Sequence, residues 1–152
     1  MTNKIPPLIK TIEVACDRET AFRFYTERMI EWWPAKSHSL SQDEATQIVF
    51  EAREGGNLYE KDKNGDIQVW GTVLVWDPPA RFVHSWHVGG TPDKASEVEV
   101  VFTELDASKT QLRLEHRNWE HFGDEAQATR DHYGSGWESV LDTYINRLKE
   151  AA

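Results

Sequence analysis

The chain has one cysteine, Cys16, so no internal disulfide can staple it. A fold without disulfides rests on its core, and a reducing, cytoplasmic setting is the expectation. Cys16 closes an alternating segment and precedes Asp17, which marks it as a small buried hydrophobe. Basic residues are also scarce: 17 Lys and Arg stand against 26 Asp and Glu, a net charge of −9. Phosphate backbones and anionic lipid surfaces are held by Lys and Arg, so this balance argues against nucleic-acid and membrane partners. No apolar run approaches the ~18 residues of a membrane span. Met1–Pro7 lacks the apolar stretch of a secretion signal. A Walker loop, a dinucleotide glycine fingerprint and a nucleophile elbow are all missing. No set of His, Cys, Asp or Glu has metal-ligand spacing, so neither a metal nor an organic cofactor is expected.

What is abundant is tryptophan. Trp32, Trp33, Trp70, Trp76, Trp86, Trp119 and Trp137 are spread over the 152 residues, each in or beside a patterned segment. An indole is large, and its N–H needs a partner when buried, so it fits awkwardly into an ordinary core. It suits the wall of a cavity, where the apolar face lines the space and the polar edge is satisfied at the rim.

The pattern predicts one domain of the α+β class. Leu8–Val14 alternates and is β-branched, as a strand is. Asp17 caps a helix carrying Ala21, Phe22 and Tyr25, and a short helical stretch with Met29, Ile30, Trp32 and Trp33 ends at Pro34. A polar loop covers 35–45. Strands are then predicted at Gln47–Arg53, Asn57–Lys61, Ile67–Trp76, Arg81–Val88, Ser96–Leu105 and Thr110–Arg117. Gly55-Gly56, Asn64-Gly65, Asp77-Pro78-Pro79, Gly89-Gly90 and Asp106-Ala107-Ser108 punctuate them as turns. Asp124 and Gln127 resemble a capping box. Beyond them Tyr133, Trp137, Val140, Leu141, Tyr144 and Leu148 recur at helical spacing. Gly134 and Gly136 suggest a bend or a close approach there. A curved antiparallel sheet of about seven strands wrapped around a long C-terminal helix follows, with two short helices after the first strand.

Strand alternation assigns faces. Phe82, His84 and Trp86 share one side, as do Val98, Val100 and Phe102, and Leu112, Leu114 and His116. His84 and His116 therefore lie on apolar faces, as core histidines or as acid–base groups. His84 and His87 point to opposite faces and cannot chelate one ion. The strand at 67–76 is apolar on both sides, and its orientation stays open. Glu51 and Arg53 share a face opposite Ile48, Phe50 and Ala52, as a surface ion pair or as a charged pair inside the curl of the sheet. Arg130 falls on the stripe of Tyr133 and Trp137.

These residues, taken in order, resemble the SRPBCC superfamily (START-like, helix-grip fold), in its branch of heat-shock-protein ATPase activator homologue (AHSA)-like domains. The resemblance is carried by Ala21-Phe22, Trp32-Trp33-Pro34, Glu51-Ala52-Arg53-Glu54-Gly55-Gly56 and Trp70-Gly71-Thr72-Val73. It continues in Asp77-Pro78-Pro79-Ala80-Arg81-Phe82, Trp86, Val98–Phe102, Leu114-Glu115-His116, Trp119, Tyr133, Gly136-Trp137 and Leu141. It implies a helix-grip fold with a cavity between sheet and C-terminal helix. Relatives bind lipids, hormones or polyketides, some catalyse cyclisation or dehydration, and some stimulate a chaperone ATPase, so the fold alone does not choose. The favoured expectation is a binding protein for a hydrophobic or aromatic small molecule, more a carrier than an enzyme, and a monomer or weak homodimer. Its expected ligand-binding residues are Trp33, Glu51, Arg53, Trp70, Phe82, His84, Trp86, Phe102, His116, Arg130, Tyr133 and Trp137. The alternatives are a cyclase or aromatase acting on a polyketide-like substrate, with His84, His116 or Glu51 as acid or base, and a co-chaperone-like module.

Overall fold

The computed structural model describes residues 6–33, 45–87, 95–119 and 126–151. The chain runs β1 (Leu8–Val14), α1 (Arg18–Glu27), α2 (Met29–Trp32), β2 (Ala45–Phe50), β3 (Asn57–Asp62), β4 (Ile67–Asp77), β5 (Arg81–Trp86), β6 (Ser96–Asp106), β7 (Lys109–Arg117) and α3 (Ala126–Ala151). One seven-stranded sheet has the order β1-β7-β6-β5-β4-β3-β2, with every neighbouring pair antiparallel. Strand β1 thus leaves the meander order and pairs with β7. The two short helices carry the chain from one edge of the sheet to the other.

Local chemistry sets the corners. Asp17 caps α1, its carboxylate accepting from the Thr20 backbone N–H and hydroxyl. Gly65 takes a positive φ of 85° in the β3–β4 turn, where Asp62 accepts from the N–H groups of Asn64 and Asp66. Gly71 is required by contact: a Cβ there would lie 1.7 Å from the Ser85 carbonyl oxygen. The bare backbone lets β4 press onto β5, where Thr72 donates to the Ser85 hydroxyl.

The register of β4 shifts against β3 between Leu58 and Tyr59, and against β5 between Val73 and Val75. Each shift changes the phase of the alternation. Trp70 and Val73 are therefore both buried, although they are three positions apart, while Ile67, Val69 and Leu74 are exposed. This resolves a strand whose two faces looked equally apolar. The expected strand 47–53 ends at Phe50, and Glu51–Gly56 form a turn instead. Pro34, most of the 35–45 loop, Val88, the Gly89-Gly90 turn and Asp124 lie outside the described residues.

Helix α3 packs on β1, α1 and α2. Its buried stripe is Trp137, Val140, Leu141, Tyr144 and Leu148, as the spacing predicts. The helix passes through Gly134 and Gly136 without interruption, and a Cβ at Gly134 would meet Leu8 at an ordinary 3.6 Å. Tyr144 donates its hydroxyl to the Ala21 carbonyl, tying α3 to α1. On the far side of the sheet Arg117 bridges Glu97, Glu99 and Glu115. Among the described residues no helix is long and apolar enough to cross a membrane.

Candidate functional site

The sheet register places the site. His84 pairs with Val98, Val98 with His116, and His116 with Leu8, so four buried side chains form one row across β5, β6, β7 and β1. One step along, Trp86 pairs with Ser96. This row lies on the side covered by the helices, where the alternation puts both histidines.

Over it stands a cluster of indoles drawn from four parts of the chain. Trp33 follows α2, Trp70 is on β4, Trp86 on β5 and Trp137 on α3. The ring centroids of Trp33 lie 4.9 Å from Trp70, 6.1 Å from Trp86 and 6.0 Å from Trp137. Trp86 is 5.6 Å from Trp70 and 5.4 Å from Trp137. Tyr133 completes the cluster, 6.3 Å from Trp86 and 5.1 Å from His116. All four indoles are buried. Trp70 donates to the Glu60 carboxylate, Trp86 to the Tyr133 hydroxyl and Trp137 to His116.

Hydrogen bonding separates the two histidines. Trp137 Nε1 only donates, so His116 Nδ1, 3.0 Å away, must be the bare acceptor nitrogen. The proton of the neutral ring is then on Nε2, which donates to Ser96 Oγ at 2.6 Å. The Ser96 hydroxyl in turn donates a hydrogen bond to the Trp86 carbonyl. Both nitrogens of His116 are engaged in a chain from helix to sheet. Burial, and the repulsion a protonated His84 would add, hold its pKa well below the ordinary value.

His84 is wired on one side alone. Its Nδ1 lies 2.9 Å from the Ser85 carbonyl, which can only accept, so Nδ1 carries the proton. Nε2 is therefore a lone-pair acceptor, and it is buried without a hydrogen-bond partner. The ring stacks on Phe82 at 5.8 Å and meets the edge of Phe50 at 5.6 Å. Burial lowers its pKa to about 4, so the ring is neutral at physiological pH.

Of the twelve residues expected at the site, Trp33, Trp70, Trp86, Tyr133, Trp137, His84 and His116 come together. Phe82 and Phe102 continue the aromatic interior beneath α1, against Phe22 and Tyr25. Glu51, Arg53 and Arg130 do not join them. Because the strand stops at Phe50, Glu51 and Arg53 sit in a turn and not on a strand face. Glu51 accepts from the Asn57 N–H at 2.7 Å, locking the corner between β2 and β3. Arg53 is 65% exposed and lies 3.8 Å from Glu51, so it is a surface charge. The Arg130 guanidinium donates to the carbonyls of Pro6 and Pro7, anchoring the lead into β1. Its peptide partners lie outside the interior, which corrects its placement.

Four interior residues escaped the sequence reading as site candidates. Glu60, fully buried, holds Trp70, and Ser96 links His116 to the Trp86 carbonyl. Trp119 packs 4.1 Å from His116 and donates to its carbonyl. Tyr25, fully buried with a hydroxyl lacking a hydrogen-bond partner, lies 5.3 Å from Phe82. Parity offered a signal for the first two: Glu60 shares the face of Leu58, and Ser96 the face of Val98.

An open groove of about 450 Å³ lies elsewhere, between α1 and the β4–β5 corner, lined by Phe22, Arg23, Trp76 and Pro79 among others. It borders the aromatic interior only through Phe22 and Trp76, whose ring lies 5.6 Å from Phe50 and 6.3 Å from Phe82. Size alone does not make it the site, since its polar groups, Arg23 with Glu19 and Glu27, already pair with one another. Among the described residues no three metal-binding side chains gather.

The model of the family described as Activator of Hsp90 ATPase homolog 1-like protein matches residues 15–150. The solved structure of an anthrahydroquino-γ-pyrone synthase, Txn09, complexed with SUM, is 34% identical, with 97% of this chain and 99% of that chain covered and a TM-score of 0.68. CalC, a self-sacrificing resistance protein from Micromonospora echinospora, is 28% identical, with 97% and 96% covered and a TM-score of 0.72. The Aha1 dimer from Colwellia psychrerythraea, at 16% identity, a TM-score of 0.68 and coverage of 95% and 96%, shares the fold. Among curated proteins, none matches.

Proposed function

As the chain belongs to the Activator of Hsp90 ATPase homolog 1-like family, we propose that it binds a flat aromatic small molecule between the sheet and the C-terminal helix. The observation that carries this reading is the contact of Trp33, Trp70, Trp86 and Trp137, brought from α2, two strands and α3 to one place. Indoles concentrated this way offer offset and edge-on faces to a planar guest. The likeness to Txn09, described as a synthase of an anthrahydroquino-γ-pyrone, supports the choice of an aromatic guest. The half-buried Cys16 thiol, pushed up to about 11 by burial and Asp17, fits an unreactive residue and not a nucleophile.

Titration with 8-anilinonaphthalene-1-sulfonate tests this. Binding at micromolar affinity, about −8 kcal/mol, with a change in Trp emission is expected, and Trp137→Ala should weaken both. Unchanged binding and emission in a folded Trp137→Ala variant would refute the site.

A second reading, a cyclase-like reaction on the bound molecule, is favoured by His84, a neutral base with a bare Nε2 in the aromatic interior. Turnover of a linear aromatic polyketide that is lost in His84→Leu, while the dye still binds, would establish catalysis. Binding without turnover leaves a carrier.

A further inference from the structure

His116, Ser96, Trp70, Trp86 and Trp137 all have hydrogen-bond partners in the aromatic interior, which makes the exceptions there informative. Burying a polar group unpaired is costly, and such groups in folded proteins call for an explanation. Among the described residues, two such groups belong to side chains that contact one and the same ring. His84 and Tyr25 both contact Phe82, at 5.8 and 5.3 Å between ring centroids. His84 Nε2 and Tyr25 Oη are each buried without a hydrogen-bond partner, and both residues are fully buried.

The two atoms have different chemistry. His84 Nε2 is an acceptor only, because the ring proton is spent on the Ser85 carbonyl. Tyr25 Oη is a hydroxyl. Burial raises its pKa, so it stays protonated and can donate. A guest that satisfies both must offer a donor to the histidine and an acceptor to the tyrosine. His116 makes no such demand, since Trp137 and Ser96 take both its nitrogens.

From this pair, and resting on the aromatic-ligand reading above, we infer that the bound molecule is a hydroxylated aromatic ketone or quinone: a planar ring system whose O–H donates to His84 Nε2 and whose carbonyl accepts from Tyr25 Oη. The indoles supply affinity without direction. His84 and Tyr25 supply orientation and the selection against alkylated or fully reduced analogues. A site built to bond a hydroxyl rejects the analogue lacking it, because its own buried group is left unpaired.

Four matched probes separate the terms: 6-acetyl-2-naphthol, 2-naphthol, 2-acetyl-6-methoxynaphthalene and 2-methoxynaphthalene. Their affinities are measured on the wild-type protein, on His84→Leu and on Tyr25→Phe. Methylating the hydroxyl should weaken binding about tenfold or more in the wild type, and by less than about twofold in His84→Leu. Removing the acetyl group should weaken binding severalfold in the wild type and hardly at all in Tyr25→Phe. A second readout uses the wild type alone, so a poorly folded variant does not leave the question open. The ¹⁵N resonance of His84 Nε2 should shift on adding 2-naphthol and stay in place with 2-methoxynaphthalene. Equal binding of all four probes, with no shift at His84, would overturn this inference while leaving the aromatic site standing. Failure of all four to bind would overturn the aromatic site itself.

Discussion

His84 and His116 were indistinguishable by strand parity, and their hydrogen bonds set them apart. Parity reports which face a side chain occupies, whereas a role depends on partners from other strands and from α3. Both rings are held neutral by burial, and this has a consequence for stability. A base whose folded pKa lies below its unfolded value binds fewer protons folded than unfolded, so it destabilises the native state as the pH falls. For His84 the window runs from the ordinary 6.5 down to about 4. Its full contribution is present above 6.5, with about 3 kcal/mol lost across the window. His116 adds in the same direction. Urea unfolding at about pH 7.5 and about pH 5 should show about 2 kcal/mol lost through His84 at the lower pH, with His116 adding to the loss, and a smaller loss in His84→Leu. Equal stabilities at the two pH values would contradict neutral burial. The charged residues of the Glu51–Gly56 turn behave differently from the notion of a cavity pair. Glu51→Gln should cost about 1 kcal/mol through the weakened bond to Asn57, while Arg53→Met should stay within about 0.5 kcal/mol of wild type. Thermal melts of the two variants check the contrast.

At the level of elements, the helices and most strands were legible because their period and their caps agree. Asp17, the Asn64-Gly65 turn and the apolar stripe from Tyr133 to Leu148 each have a local cause, and each appears in the fold. Two features were illegible for physical reasons. The register shifts along β4 are tertiary events, and they break the parity that sequence reading depends on. The end of β2 at Phe50 follows from the turn at Gly55, with its φ of 82°, and from Gly56, where a Cβ would sit 2.8 Å from the backbone oxygen of Glu51. A strand rich enough in pattern to run on to Arg53 is stopped by that corner. Gly71→Ala should be severely destabilising, since backbone at 1.7 Å cannot yield as a side chain can. It is expected to express poorly or to melt far below wild type, and a melt within a degree or two would show that β4 and β5 can part. Deleting the chain from Gly136 onward removes Trp137, Val140, Leu141, Tyr144 and Leu148 from the core. The expected result is the loss of cooperative unfolding, because the inner face of the sheet is left without its cover. A sharp transition in the truncated chain would contradict the placement of α3.

For the molecule as a whole, the indoles divide naturally into reporters of two places. Trp33, Trp70, Trp86 and Trp137 form the wall of the interior. Trp76 stands at the other end, half-buried, packed on Phe22, Phe50 and Phe82 and lining the outer groove with Arg23 and Pro79. The net charge of −9 keeps both places unattractive to phosphate-rich partners, so a small neutral aromatic is the apt probe of either. The most direct measurement is a titration of ¹⁵N-labelled protein with 6-acetyl-2-naphthol, following the indole Nε1–H cross-peaks. The expected result is saturable movement of the Trp33, Trp70, Trp86 and Trp137 signals at micromolar to tens-of-micromolar ligand, with Trp76, which touches the interior only through its phenylalanines, moving less than these four. Movement confined to Trp76, or no movement of any indole, would contradict an aromatic binding site between the sheet and the C-terminal helix.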